Sequence, residues 1–290
     1  MTAVSFEDGA RANDRRALPI SLLLAALPIT LIVLVCFASS ALPLPSPNEQ
    51  DLLNRLKPPV WLGGTWEHAL GTDQLGRDML ARILAGGKLT LLIAGTGVAI
   101  GGVVGTIIGM VAGFRGGVID TVLMRIIDAQ LSLPIILLAM TITATRQPSV
   151  ATLIIVLATI SWAPYSRVIR SETLSLRERP FVHALTGLGM AQPRILLRHI
   201  FPNVVSTFTV MATIEIAVSV LAESALSFLG LGVQPPDVSW GMMLAQGRSF
   251  MKTAWWTVVF PGLAITLVVL AVNVLGEALR ARFDPREAIE

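Results

Sequence analysis

Charged residues are scarce in this chain of 290 residues. Asp, Glu, Lys and Arg together make up 14% of it, hydrophobic residues make up 53%, and the mean hydropathy is +0.71. A soluble domain of this size carries about 25% charged residues. The composition therefore excludes an ordinary soluble domain and indicates a membrane protein with several spans of about 20 apolar residues each.

Cysteine and histidine are also rare. The single cysteine, Cys36, cannot form an internal disulfide, and the three histidines form no cluster with metal-ligand spacing. The sequence contains no recognisable catalytic constellation, and its basic residues are not interleaved with aromatic residues as in nucleic-acid-binding domains. We therefore expect no catalytic residue, no bound metal and no nucleic-acid partner.

The glycine pair before Lys88 is only superficially similar to a phosphate-binding loop. That loop requires a glycine five residues before its second glycine, and Ser or Thr directly after its lysine. Those two positions hold Arg82 and Leu89. The sequence thus predicts no nucleotide site in this chain.

Six apolar runs divide the chain. We expect a polar tail at 1–16, a first span at 17–40, an extended Pro-rich segment at 41–88, a five-helix core at 89–277 and a tail at 278–290. A signal peptide is the alternative for the first run, which is longer than the 7–15 apolar residues of such peptides. A short amphipathic helix is expected at 77–87. The later spans are expected at 89–111, 120–143, 150–168, 204–228 and 255–275.

Glycines recur every four residues in the second span, so they share one helix face. This pattern predicts close packing against another helix, which we favour over contact with a substrate. The glycines are Gly97, Gly101, Gly105, Gly109 and Gly113.

Arginine and lysine are more frequent in the segments that would share a side with both termini. The positive-inside rule therefore places both termini and the polar stretch 177–203 in the cytoplasm, and segment 41–88 outside.

Four charged residues within or beside the spans are candidates for a pathway or gate. Arg125 and Asp128 share a helix face, which favours a salt-bridged pair at the headgroups over an inner gate. Glu215 lies mid-span, where a charge is costly unless it faces a cavity or a partner. It would line the pathway or form a hydrogen bond to a neighbouring helix, and both readings stay open. Glu223 lies nearer the outer end.

The stretch 177–203 contains two short helical patterns separated by a glycine-rich break. The first begins at Pro180, the break contains Gly187 and Gly189, and the second pattern begins at Pro193. We expect Pro202 to end it. The stretch is either a loop on the lipid headgroups or a docking element for a partner.

This stretch resembles the cytoplasmic coupling loop of binding-protein-dependent ABC importer permeases. The motif is Glu-Ala-Ala, three residues, Gly, nine residues and Ile-x-Leu-Pro, and Ala184, Gly189 and Pro202 match it. His183 replaces its Glu and Leu185 its second Ala. The resemblance implies that these five residues contact an ATPase. The motif's Ile and Leu are also replaced, by His199 and Phe201.

Other stretches, at 70–78, 112–134, 226–241 and 273–285, resemble the C-type permease of dipeptide, oligopeptide and nickel importers. The resemblance implies an all-α membrane protein with six transmembrane helices, type I ABC importer permease architecture and cytoplasmic coupling helices, located in the inner or plasma membrane. It implies a second homologous permease, two ABC ATPase subunits or one fused pair, and an extracytoplasmic substrate-binding protein. ATP and magnesium would bind to the ATPases, and this chain would not be catalytic itself.

Peptides are the expected cargo, with nickel or oligosaccharides as the alternative. A secondary transporter is less favoured, because such proteins have inverted repeats and interrupted helices and this sequence has no internal repeat. A membrane scaffold without transport is a third possibility.

Overall fold

Residues 20–283, which the computed structural model describes, are mostly helical. The predicted tail at 1–16 and most of that at 278–290 lie outside this range. The α-helices are α1 (Ile20–Phe37), α2 (Met79–Arg115), α3 (Gly117–Leu131), α4 (Ile135–Thr145), α5 (Val150–Arg177), α6 (Pro180–Gly187), α7 (Gln192–Ile195), α8 (Phe201–Phe228), α9 (Trp240–Gly247) and α10 (Trp256–Phe283).

The expectation of an all-helical bundle with six spans is confirmed in outline. Five helical segments are long and apolar enough to cross a membrane, and α3 with α4 makes a sixth if the pair is one broken span. The two helices of this pair meet at 90°. The kink predicted at Pro134 is therefore a full break, because proline disfavours the helical conformation of the residue before it, Leu133.

Helix α2 runs without interruption for 37 residues. The expectation of a separate short helix at 77–87, with a boundary at 88, is wrong. Asp78 caps the helix by accepting a hydrogen bond from the Ala81 N–H at 2.8 Å. The helix continues through Gly86 and Gly87, and the latter position has no room for a side chain, since a Cβ on Gly87 would lie 2.6 Å from the Cys36 sulfur.

The glycine face of α2 packs directly on α5, as the four-residue repeat predicted. A Cβ on Gly101 would lie 2.7 Å from the Ala158 carbonyl oxygen, and one on Gly113 would lie 2.8 Å from the Arg170 carbonyl oxygen. Real Cβ atoms do not approach so closely. The two backbones can therefore come together only because this face has no side chains.

Segment 41–78, called the cap below, is folded rather than extended. It forms short 3₁₀ turns at Leu52–Asn54, Val60–Leu62 and Trp66–His68. The Arg77 Nε donates to Asp73 at 2.6 Å, and Arg77 and Arg82 both donate to the Gln246 side-chain oxygen, at 3.1 and 3.0 Å. The Trp256 indole N–H donates to the Thr72 carbonyl at 3.0 Å. The prolines favoured an extended run, but these buried side chains hold the turns against α9 and α10.

We predict that Gly101→Ala lowers the melting temperature of the purified protein in detergent. The added methyl group has to displace α5, and overpacking of this kind costs about 1–3 kcal/mol. Gly95→Ala is the matched control on the same helix, since nothing lies within 4 Å of the added atom. It should be neutral or stabilising by up to about 1 kcal/mol. Equal melting temperatures for the two variants would contradict the close packing.

Candidate functional site: the elbow between α5 and α8

Residues 178–200, called the elbow below, connect α5 to α8 through two short helices. As predicted, α6 begins at Pro180, a residue suited to the first turn of a helix because its missing N–H has no partner there. The chain then turns at Gly189, which has a φ of 76°, a left-handed conformation that favours glycine. The helix–glycine–helix arrangement is confirmed.

The expectation that Pro202 ends the second helix is wrong. The chain continues from α7 through a five-residue π-helical turn, Leu196–Ile200, and into α8. In this turn the Phe201 N–H donates to the Leu196 carbonyl, five residues back. Pro202 then falls in the first turn of α8, where the wider turn accommodates a residue that has no N–H to donate. The elbow is thus joined to a long span without a loop.

The inner face of the elbow is anchored in the bundle. Val182 of α6, Ile195 of α7 and Ile200 of the π turn are 2%, 0% and 0% exposed. They belong to one apolar cluster, which also contains residues of α2, α5 and α8. The other members are Met110, Phe114, Ile169, Leu176 and Val204. Movement of the elbow therefore has to move the ends of three long helices.

Arg177 adds a polar attachment at the start of the elbow. Its guanidinium donates to the carbonyl oxygens of Gly113 and Phe114, each at 3.3 Å. The last carbonyl groups of a helix lack partners within the helix, and a cation there is favourable. Arg177 consequently ties the end of α5 to the end of α2.

The outer face of the elbow is open to the surroundings. His183, Ala184 and Gly189 are exposed, Leu185 is half-buried and Pro202 is exposed. The structure therefore places all five predicted coupling residues on or beside one structural unit. Whether an ATPase binds them stays a prediction.

Sequence reasoning did not single out the large apolar side chains on this outer face. Leu188 is 83% exposed and Leu197 is 67% exposed. Their positions could have identified them: Leu188 adjoins the glycine break, and Leu197 lies beside Arg194 and Arg198. An exposed leucine alone is unremarkable, but two on one short unit add an apolar component to a basic surface.

The predicted pairing of Arg125 with Asp128 is wrong. The Asp128 carboxylate accepts from the Arg167 guanidinium of α5 at 2.6 Å. Arg125 is exposed and has no ion pair among residues 20–283. Helical spacing brings Arg125 near Asp128, but it could not show that α5 offers a competing arginine. A second pair, Asp120 with Arg170, joins the same two helices, and a gating role for this region stays a prediction.

Glu215 lies inside the bundle, where it is 6% exposed. It lies near Ser161 and Tyr165 of α5. The Tyr165 hydroxyl group has no hydrogen-bond partner within the described part of the chain. The carboxyl thus belongs to a buried polar site between α5 and α8, and the structure shows no open surface at this position.

Glu223 links three helices. It is fully buried and accepts hydrogen bonds from the Thr90 hydroxyl of α2 at 3.1 Å and from the Ser227 hydroxyl of α8 at 2.7 Å. The Thr90 oxygen in turn accepts from the backbone N–H of Trp240, at the start of α9. Sequence reasoning missed Thr90 and Trp240, because partners more than a hundred residues apart leave no local pattern.

Residues 105–289 match the model of a family described as the binding-protein-dependent transport system inner membrane component. The matched region includes the elbow, α3–α10 and the end of α2. The chain belongs to this family. It is therefore a multi-pass membrane protein of a binding-protein-dependent transport system.

Individual relatives cover nearly the whole chain. A putative peptide transport system permease protein of Brucella suis biovar 1 (strain 1330) is 38% identical over 280 residues, covering 97% of this chain and 91% of the relative. The dipeptide transport system permease protein DppC of Alkalihalophilus pseudofirmus is 39% identical, covering 89% of this chain and 83% of the relative. The di/tripeptide transport system permease protein DppC of Pseudomonas aeruginosa is also 39% identical, covering 91% of this chain and 88% of the relative. These matches extend into the cap, which precedes the family match.

Proposed function

We propose that this permease is one of two related membrane subunits of an ATP-driven importer of dipeptides and oligopeptides. The substrate class rests on the relatives, whose names describe peptide, dipeptide and di/tripeptide permeases. The coupling mechanism rests on one structural observation, the elbow that is anchored in three helices and continuous with α8.

The proposed partners divide the work. Two ATPase subunits, or one fused pair, bind ATP and magnesium and dock on the elbow, while an extracytoplasmic binding protein delivers peptide at the cap side. A second homologous permease completes the pathway through the lipid bilayer. This chain supplies a two-state membrane element whose balance the ATPases shift, and it carries out no bond chemistry itself.

The elbow residues have distinct proposed roles. His183 and Ala184 are exposed and would contact the ATPase, with Leu185 at the edge of the contact. Gly189 permits the turn between the two helices. Pro202 lies where the elbow becomes α8, so displacement of the elbow would pass directly into that span.

The proposed location is the inner or plasma membrane, with both termini and the elbow in the cytoplasm. The arginines on the elbow support this orientation, because basic residues favour the cytoplasmic side.

In a Cys36→Ala background, Leu188→Cys should react with an impermeant maleimide only from the cytoplasmic side. Trp66 lies on the cap and is 84% exposed, so Trp66→Cys should react only from the opposite side. The reverse labelling pattern would overturn the orientation and the docking role together.

We predict that the double variant Leu188→Asp, Leu197→Asp releases the ATPase subunits during co-purification and abolishes ATP-dependent uptake of a labelled dipeptide in proteoliposomes. Both side chains are exposed, so the fold should be retained and the melting temperature should not change. Trp66→Asp is a control of equal exposure on the cap, and it should keep the ATPase bound. An ATPase that stays bound to the double variant would argue against docking at the elbow.

We predict a selective effect of Glu215→Gln if the carboxyl attracts the amino terminus of a peptide in another transport state. Uptake of a free dipeptide should fall several-fold, whereas uptake of its N-acetylated form should be unchanged relative to wild type. Such a change in preference would not arise from a role in helix packing alone. Equal uptake ratios in both proteins would remove Glu215 from the pathway.

A further inference from the structure

The exposed charges of the elbow are strongly biased towards arginine. Arg179, Arg194 and Arg198 are exposed, and none of them has an ion pair among residues 20–283. Glu178 is the only acidic residue between Arg177 and Asn203, and it pairs with Arg177 at 3.0 Å. The outer face of the elbow thus presents unneutralised positive charge.

The second half of the elbow carries two exposed arginines with an exposed leucine beside them. Leu197 follows Arg194 by three residues and Arg198 follows Arg194 by four, spacings that place both side chains next to Arg194 on the helix surface. All three are exposed, with Leu197 at 67%. Such a mixture of apolar side chain and arginine is typical of the centre of protein interfaces.

A membrane surface is the other possible occupant of a basic, apolar patch, but the packing of the elbow argues against it. An interfacial helix inserts its apolar face into the lipid. Here the apolar face, with Val182, Ile195 and Ile200, is already buried in the bundle. The side that remains exposed carries three arginines, with Leu188 and Leu197 among them.

We infer, on the basis of the proposed docking of an ATPase, that the groove of the ATPase subunit that receives this elbow is acidic. Carboxylates on its walls meet Arg194 and Arg198, and an apolar floor receives Leu197. Complementary charges across an interface accelerate association and exclude wrong partners, so this surface selects the chain's own ATPase.

His183 extends the same selection. The coupling motif that this stretch resembles has Glu at that position, whereas His183 carries no negative charge and its imidazole is 3.7 Å from the Glu178 carboxylate. An ATPase that presents a cation to a motif glutamate would meet an imidazole instead, beside a carboxylate that already pairs with Arg177, and would face the neighbouring arginines. Discrimination between related ATPases would therefore arise from repulsion as well as attraction.

The test measures the dissociation constant of the ATPase subunits from the permease complex in nanodiscs, as a function of ionic strength. Wild-type affinity should fall steeply with added salt. Arg194→Glu and Arg198→Glu should each weaken binding by about tenfold or more at low salt, because like charges across an interface are strongly unfavourable. Arg280→Glu, an exposed reversal at the end of α10, is the matched control and should bind normally. A carboxylate-to-lysine change in the ATPase groove should restore binding to Arg198→Glu.

The outcomes separate this inference from the proposed function. If both reversals bind normally while the double variant Leu188→Asp, Leu197→Asp does not, docking at the elbow stands and the acidic groove is wrong. If the double variant also binds the ATPase subunits normally, the docking role itself fails. If the reversals weaken binding in nanodiscs with anionic lipid but not in purely zwitterionic ones, the arginines face lipid and the inference is overturned.

Discussion

The close contact of α2 with α5 is the constraint on which the rest of the structure depends. Over four turns, the α2 backbone lies directly on carbonyl groups and Cβ atoms of α5. A membrane provides little hydrophobic force between helices, so van der Waals contact and hydrogen bonds have to hold them. This pair fixes where α5 ends, and that end fixes where the elbow begins.

The ends of the bundle are stabilised differently from its middle. At the cap side, Asp73 and the arginines at 77 and 82 form a buried polar network with Gln246. At the elbow side, apolar side chains and Arg177 join the elbow to α2 and α5. A buried charge is costly unless paired and hydrogen-bonded, so the cap network favours one arrangement of its turns.

The sequence was sufficient to predict the apolar segments, the glycine face and the helix–glycine–helix elbow, because each depends on local spacing. It was misleading where a distant residue decides the local structure. The helix continues through the glycines at 86 and 87, where Trp240 and Cys36 pack beside it, and Asp128 pairs with Arg167 rather than with Arg125. The cap was missed for the same reason, since its turns are held by side chains of α9 and α10. Pro202 continues the helix only because the preceding turn widens.

That widened turn has a mechanical consequence. The helical segment Gln192–Phe228 contains 37 residues, a length of about 55 Å at 1.5 Å per residue. Its far end carries the Glu223 link to Thr90. Moving as one body, the segment would act as a lever: a tilt of about 5° at the elbow would displace the other end by roughly 5 Å. That displacement exceeds the range of any single hydrogen bond, so a small push at the elbow would break contacts at the far end of the segment.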